Sequence, residues 1–134
     1  MMTKSPSGAL SPYYYKGGYF HGIHYGSYFD NSEALFAMMK EEENFILKSP
    51  SQRRIMIDLY ETNITKEVLA KIIEHIRNIQ PRIFKIAFSA NKSTLRKLQK
   101  AIKHTVTLQT ICCYFSTDME DAKTWLVSDN AYSL

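Results

Sequence analysis

Three times between residues 53 and 129, an apolar run leads straight into a helix-start signal. RIMIDLY at 54–60 is followed by Thr62, Asn63 and Thr65. IFKIAF at 83–88 is followed by Ser89 and Asn91. TICCYF at 110–115 is followed by Ser116, Thr117 and Asp118. Strands that alternate with helices of about 10–15 residues pair parallel, because each crossover returns the chain to the start of the next strand. The run at 54–60 is apolar nearly throughout, as a strand covered on both faces requires. In such sheets ligands gather at the carboxyl ends of the strands. The candidate partner- or ligand-binding residues are therefore Asp58, Thr62, Asn63, Thr65, Ser89, Asn91, Ser116 and Thr117.

The expected order is β-α-β-α-β-α-β-α: an α/β domain with a four-stranded, mostly parallel sheet over residues 13–134. Residues 1–12 are turn-formers without periodicity and read as a flexible tail. A tyrosine- and glycine-rich segment at 13–29 follows. Its second half alternates with period two, which predicts a strand at an edge or carrying a bulge, antiparallel to its neighbour. Asp30-x-x-Glu33 is a capping box and opens a helix to about residue 48. Leu35, Phe36, Met39 and Ile46 share its inner face, with Glu41, Glu42 and Glu43 toward solvent. Thr65 caps the next helix, whose stripe is Val68, Leu69, Ile72, Ile73, Ile76 and Ile79. Asn91 caps a third helix, with Leu95, Leu98 and Ile102 inward and five Lys/Arg outward. Thr117-x-x-Glu120 caps a last one that turns Ala122, Trp125 and Leu126 to the sheet.

Composition narrows the function classes. The chain has 134 residues, 45% apolar and 22% charged, enough for one domain that buries about two-thirds of its unfolded surface. No apolar run approaches the ~20 residues of a membrane helix, and the N-terminus does not read as a signal peptide. Cys112 and Cys113 are adjacent on a strand-like run, so their side chains point apart. They make neither a mutual disulfide nor a zinc site, and a reduced, cytoplasmic setting is expected. The net charge of +4 is concentrated in residues 66–105, where ten Lys/Arg face only Glu67 and Glu74. This reads as a solvated helix face.

No cofactor or catalytic motif emerges. Gly17-Gly18 lacks the lysine of a phosphate loop, and there is no nucleophile elbow. His21 and His24, three apart on a strand, face opposite ways. His75 and His104 fall on helices and are expected at the surface; the cysteines are expected in the core. Asp58, within a strand, must be hydrogen-bonded or paired to be buried. Thr62, Asn63 and Thr65 form a turn at a helix amino terminus, where free N–H groups favour an anion or a phosphorylated hydroxyl. The tyrosines between 13 and 28 have only Lys16 among them as a base. They read as an aromatic strand or a homodimer contact rather than a nucleic-acid platform.

The order of elements over about residues 19–129 resembles the STAS domains, in particular the SpoIIAA-like branch, which is related in fold to CRAL-TRIO lipid-binding domains. The resemblance rests on residues 54–69, RIMIDLYETNITKEVL, on residues 84–89, FKIAFS, and on residues 114–126, YFSTDMEDAKTWL. It implies a non-enzymatic regulatory or binding module of bacterial type that contacts a protein partner at the turn after residues 54–60. The alternative it implies is a carrier with an apolar pocket between sheet and helices for a small ligand or lipid. Antagonists of the sigma-factor switch carry an Asp-Ser-Ser-Gly-like motif at that turn. Here the turn reads ETNIT at 61–65, so Thr62 or Thr65 would have to stand in for the phosphorylated serine. A third class, a small hydrolase using Asp58 and the strand-end hydroxyls, is the weakest fit.

Overall fold

The computed structural model describes residues 3–8 and 10–128. Its elements are β1 (Thr3–Lys4), β2 (Leu10–Ser11), β3 (Tyr13–Tyr15), β4 (Gly18–His24), α1 (Ser32–Leu47), β5 (Arg53–Asp58), α2 (Lys66–Ile79), β6 (Ile83–Ser89), α3 (Lys92–Lys103), β7 (Cys113–Ser116) and α4 (Met119–Val127). The α/β class holds, but the sheet has five strands and is mixed. Its order is β3-β4-β5-β6-β7, with β4 to β7 parallel and β3 antiparallel to β4.

The fifth strand arises because residues 13–29 form a hairpin rather than one strand. Lys16 (φ 44) and Gly17 (φ 88) are both left-handed, and Tyr15 pairs with Gly18. Two central residues with positive φ make a tight turn whose twist matches the flanking strands. The turn sets Tyr13 and Tyr15 against Phe20, with ring centroids 5.3 and 6.4 Å apart.

The two faces of the sheet are covered unequally. Helices α1, α2 and α3 bury the larger core against Ile23, Ile55, Ile57, Ile86 and Phe88. Most of each expected stripe is buried: Leu35, Met39 and Ile46 on α1; Val68, Ile72, Ile76 and Ile79 on α2; Leu95, Leu98 and Ile102 on α3; Phe36, Leu69 and Ile73 are half-buried at the margins. Of the described helices, α4 covers the other face, setting Ala122, Leu126 and Val127 against Phe20, Met56 and Ala87. Two cations reach from the sheet to the last carbonyls of α4: Lys85 Nζ donates to Trp125 O (2.9 Å) and Arg54 Nη1 to Leu126 O (3.1 Å). Positive charge at a helix carboxyl end is favourable. It explains how Lys85 is tolerated at 7% exposure, with the Trp125 ring 4.1 Å from its Nζ.

Several local expectations shift. Thr65 and Asn91 cap α2 and α3 as expected, accepting from Val68 N and Thr94 N. At α1 the cap is Asn31, not Asp30, and at α4 it is Asp118, not Thr117. Neighbouring residues of both pairs can cap, and the backbone angles select one. The last strand begins at Cys113, after a 3-10 turn at Val106–Leu108, so Cys112 is exposed and only Cys113 is half-buried. The stretch read as a flexible tail is folded back over its described part. β1 pairs with β2, and Ser5 Oγ donates to Gly22 O at 3.2 Å. Residues 1, 2 and 9 of that stretch, and residues 129–134 of the expected domain, lie outside the described residues. No helix among the described residues is long and apolar enough to cross a membrane.

Candidate functional site

Parallel pairing in register sets one residue of each strand in a row at the carboxyl edge. His24 pairs with Asp58, Asp58 with Ser89, and Ser89 with Ser116. Three of the sequence candidates therefore stand side by side, about 4.8 Å from strand to strand. His24 Nδ1 lies 3.0 and 2.8 Å from the two oxygens of Asp58. A carboxylate only accepts, so Nδ1 carries the hydrogen and Nε2 stays free of that pair. The His24 side chain is 49% exposed and lines a cavity of about 320 Å³ with Asp58, Phe20, Met56, Met119 and Lys123. Gly26 allows this approach: a Cβ there would lie 2.4 Å from Asp58 Oδ1 and 2.6 Å from Tyr60 O. Further along the row, the Tyr60 hydroxyl donates to Thr117 O. Ser89 Oγ, fully buried, therefore donates to Tyr60 at 3.0 Å. Ser116 Oγ accepts from Asp118 N at 3.1 Å.

Beyond the strands, the loops after β4 and β5 continue the ladder as a clasp. Tyr25 N donates to Asp58 O (3.0 Å), Ser27 N to Tyr60 O (2.7 Å), Phe29 N to Glu61 O (2.8 Å) and Asn63 N to Phe29 O (2.8 Å). Thr62 is the bolt. Its hydroxyl donates to Tyr25 O at 2.6 Å and accepts from Tyr28 N at 3.2 Å, at 8% exposure. Asn63 is exposed and donates to Asp30 Oδ1 at 2.8 Å. Three residues of the clasp that are not glycine are left-handed: Ser27, Phe29 and Glu61, at φ 66, 52 and 61. Such backbone costs of order 1 kcal/mol or more per residue and persists where its surroundings over-determine it. The clasp holds Phe29 out in solvent at 61% exposure.

The structure places Thr62 out of solvent. Its hydroxyl is spent on two backbone groups inside the clasp. Thr65 caps α2 and is exposed, Asn91 only caps α3, and Thr117 contributes its carbonyl.

Two buried relays were not legible as sites. Glu42, expected in solvent, is fully buried and accepts from His21 Nε2 (2.9 Å), Ser7 N (3.0 Å) and Ser7 Oγ (2.5 Å). Burial pushes its carboxyl up, but the bonds from His21 and Ser7 outweigh it and hold the group below its ordinary range. His75, expected at the surface, is buried between Tyr25 OH (2.7 Å) and Glu43 (3.1 Å). Burial depresses its imidazole despite Glu43, and burial also raises the Tyr25 phenol well above its ordinary value. The signal available in the sequence was the spacing of His21 and His24, which sends one ring to each face. Their acidic partners lie in other elements.

Comparisons with family models, curated proteins and solved structures found no match to the chain.

Proposed function

We propose that this chain is a non-enzymatic binding or regulatory module that contacts a protein partner through the clasp formed by the loops after β4 and β5. The observation that carries the reading is Phe29, an aromatic ring 61% exposed on a left-handed backbone position of a rigid, hydrogen-bonded loop pair. Interfaces concentrate their energy in a few aromatic or arginine anchors. A preorganised loop loses little further freedom on binding. The position also agrees with the SpoIIAA-like resemblance, which implies contact at the turn after β5. In this reading contact works through shape and apolar area rather than through phosphate on Thr62. Next to the His24–Asp58 pair in the strand-end row, the Ser89 hydroxyl is buried against Tyr60.

The test compares capture by three baits in extracts of the native host, quantified by mass spectrometry. They are the wild type, Phe29→Asp, and Val106→Asp as an exposed control on the 3-10 turn beyond α3. A partner retained by wild type and Val106→Asp is expected to lose about thirtyfold in affinity with Phe29→Asp, the equivalent of ~2 kcal/mol. Identical capture by all three baits refutes the reading. One observation favours the carrier alternative: the cavity of about 320 Å³ between α4 and the sheet, with Phe20, Met56 and Met119 in its wall. Native mass spectrometry of protein purified from its host separates the two, since a carrier retains a small apolar ligand and a docking module does not.

A further inference from the structure

At the opposite end of the sheet, where β5 begins, lies a cleft of about 650 Å³. Arg53, Gln52 and Ser51 line it from the chain entering β5, and Tyr19, Phe45 and Phe84 form aromatic walls. The Arg53 guanidinium is half-buried, 5.6 Å from the Phe45 ring. Its Nη1 donates to Ser11 Oγ at 3.2 Å, while its Nε is shielded from solvent without a hydrogen-bond partner.

The cation is only partly compensated from within: burial holds the guanidinium below its ordinary range, and the Glu42 charge offsets only part of this. Glu42 gives its oxygens to His21 and Ser7. In a neutral His21 that donates to Glu42 through Nε2, Nδ1 is an acceptor, facing Ser11 Oγ at 2.5 Å and Arg53 Nη1 at 3.4 Å. Ser11 therefore offers Arg53 an oxygen lone pair but no charge. Among the described residues no carboxylate is in ion-pair contact with Arg53. A half-buried charge without a carboxylate in contact is costly, and an anion entering the cleft would relieve it. A guanidinium can grip a carboxylate or phosphate with two parallel bonds.

The rim supplies a second, independent observation. Tyr19 and Phe84 are large aromatics left 55% and 46% exposed, and the Arg54 guanidinium lies 4.8 Å from the Phe84 ring. Exposed rings beside a cationic cleft favour a flat partner. The volume falls in the range of about 300–1,000 Å³ typical of small-molecule sites. We infer that this cleft binds a small aromatic anion, a planar ring bearing one carboxylate or phosphate, with the acidic group on Arg53 and the ring against Tyr19 and Phe84. The site is separate from the clasp and does not depend on the partner reading.

The experiment is calorimetric titration at low salt with four probes. Phenyl phosphate and benzoate carry both features, inorganic phosphate lacks the ring, and benzyl alcohol lacks the charge. The expected result is saturable binding of phenyl phosphate or benzoate, with both controls at least about tenfold weaker. Which of the two binds tighter identifies the acidic group. Arg53→Gln and Phe84→Ala are each expected to weaken the preferred probe by about tenfold. Phe84 is exposed, so its variant remains informative even if Arg53→Gln fails to fold. The inference is overturned if neither aromatic anion saturates, if inorganic phosphate binds as tightly as phenyl phosphate, or if folded Phe84→Ala binds like wild type.

Discussion

Glu42 ties three parts of the chain together: α1, which carries it; β4, through His21; and the N-terminal segment, through Ser7. Two substitutions there should give different costs, and the difference tests the proton assignment in the relay. In Glu42→Leu, three donors lose their acceptor in a fully buried place. Removing one partner of a buried pair costs ~3–5 kcal/mol, and we expect about 4. In Glu42→Gln, the amide oxygen can still take both Ser7 donors. The amide NH2 then faces His21, which can answer by moving its hydrogen to Nδ1 and accepting at Nε2. The Ser11 hydroxyl then loses Nδ1 as its acceptor and can rotate, so the cost stays below that of Leu, at about 2 kcal/mol.

The unfolding entropy per residue, ~2.1 cal/mol/K over 134 residues, converts these costs to melting shifts of about 14 °C for Leu and about 7 °C for Gln. Scanning calorimetry at neutral pH measures both. Equal losses from the two variants would contradict the tautomer exchange, and negligible losses from both would contradict the buried relay itself.

Thr62→Val keeps the shape of the clasp but strands Tyr25 O and Tyr28 N, so urea denaturation should report a loss of about 2 kcal/mol. Thr62→Glu should fail to fold rather than mimic a phosphate, and a well-folded Thr62→Glu would undo the assignment of Thr62 as a buried bolt. Gly26→Ala drives a methyl into Asp58 Oδ1 and Tyr60 O, and a melting loss equivalent to ~1–3 kcal/mol is expected. Acid should destabilise the fold in two windows. His75 is depressed below its ordinary 6.5, so the unfolded chain gains a proton first and stability falls as pH drops below 6.5 toward the folded value. Glu42, held below its ordinary 4.5, adds a second loss as pH falls from 4.5 through its folded value. Tyr25, raised above 10.0, makes stability fall again above pH 10. Urea midpoints that stay flat between about pH 7 and pH 5 would remove the His75 contribution.

What could be read from the chain depended on how local the cause was. The parallel order of β4 to β7 follows from crossover lengths and apolar runs, both visible within a few dozen residues. Thr65 and Asn91 are caps with no capping residue immediately before them, and they were legible. Where two capping residues sit together, as at Asp30-Asn31 and Thr117-Asp118, the choice depends on backbone angles that no residue type encodes. The hairpin was missed because Lys16-Gly17 is a poor cue for a turn that usually carries Asn-Gly. Glu42 was hidden in a run of three acids, and its partner His21 lies 21 residues away across a packed face. Asp58, Ser89 and Ser116 were legible as strand-end groups. Their alignment with His24 needed the register of β4 on β5, which sequence periodicity does not supply.

β5 lies at the centre of the strands that join the two proposed sites, and its length decides whether they can influence each other. Arg53 starts the strand and Asp58 ends it, five steps of ~3.3 Å apart, so about 17 Å separates the anion cleft from the carboxyl edge. That is about two Debye lengths at physiological salt, so direct electrostatic coupling through solvent is small. Mechanical coupling would need β5 to move, yet Ile55, Met56 and Ile57 are all buried and paired on both sides. A strand held in this way has no second packing of comparable energy to switch into. The two sites should therefore act independently. Combining Phe84→Ala with Phe29→Asp should leave each variant's binding defect at its single-mutant size, within about 0.5 kcal/mol. A larger interaction term, measured by calorimetry on the double variant, would show that the central strand transmits between its two ends.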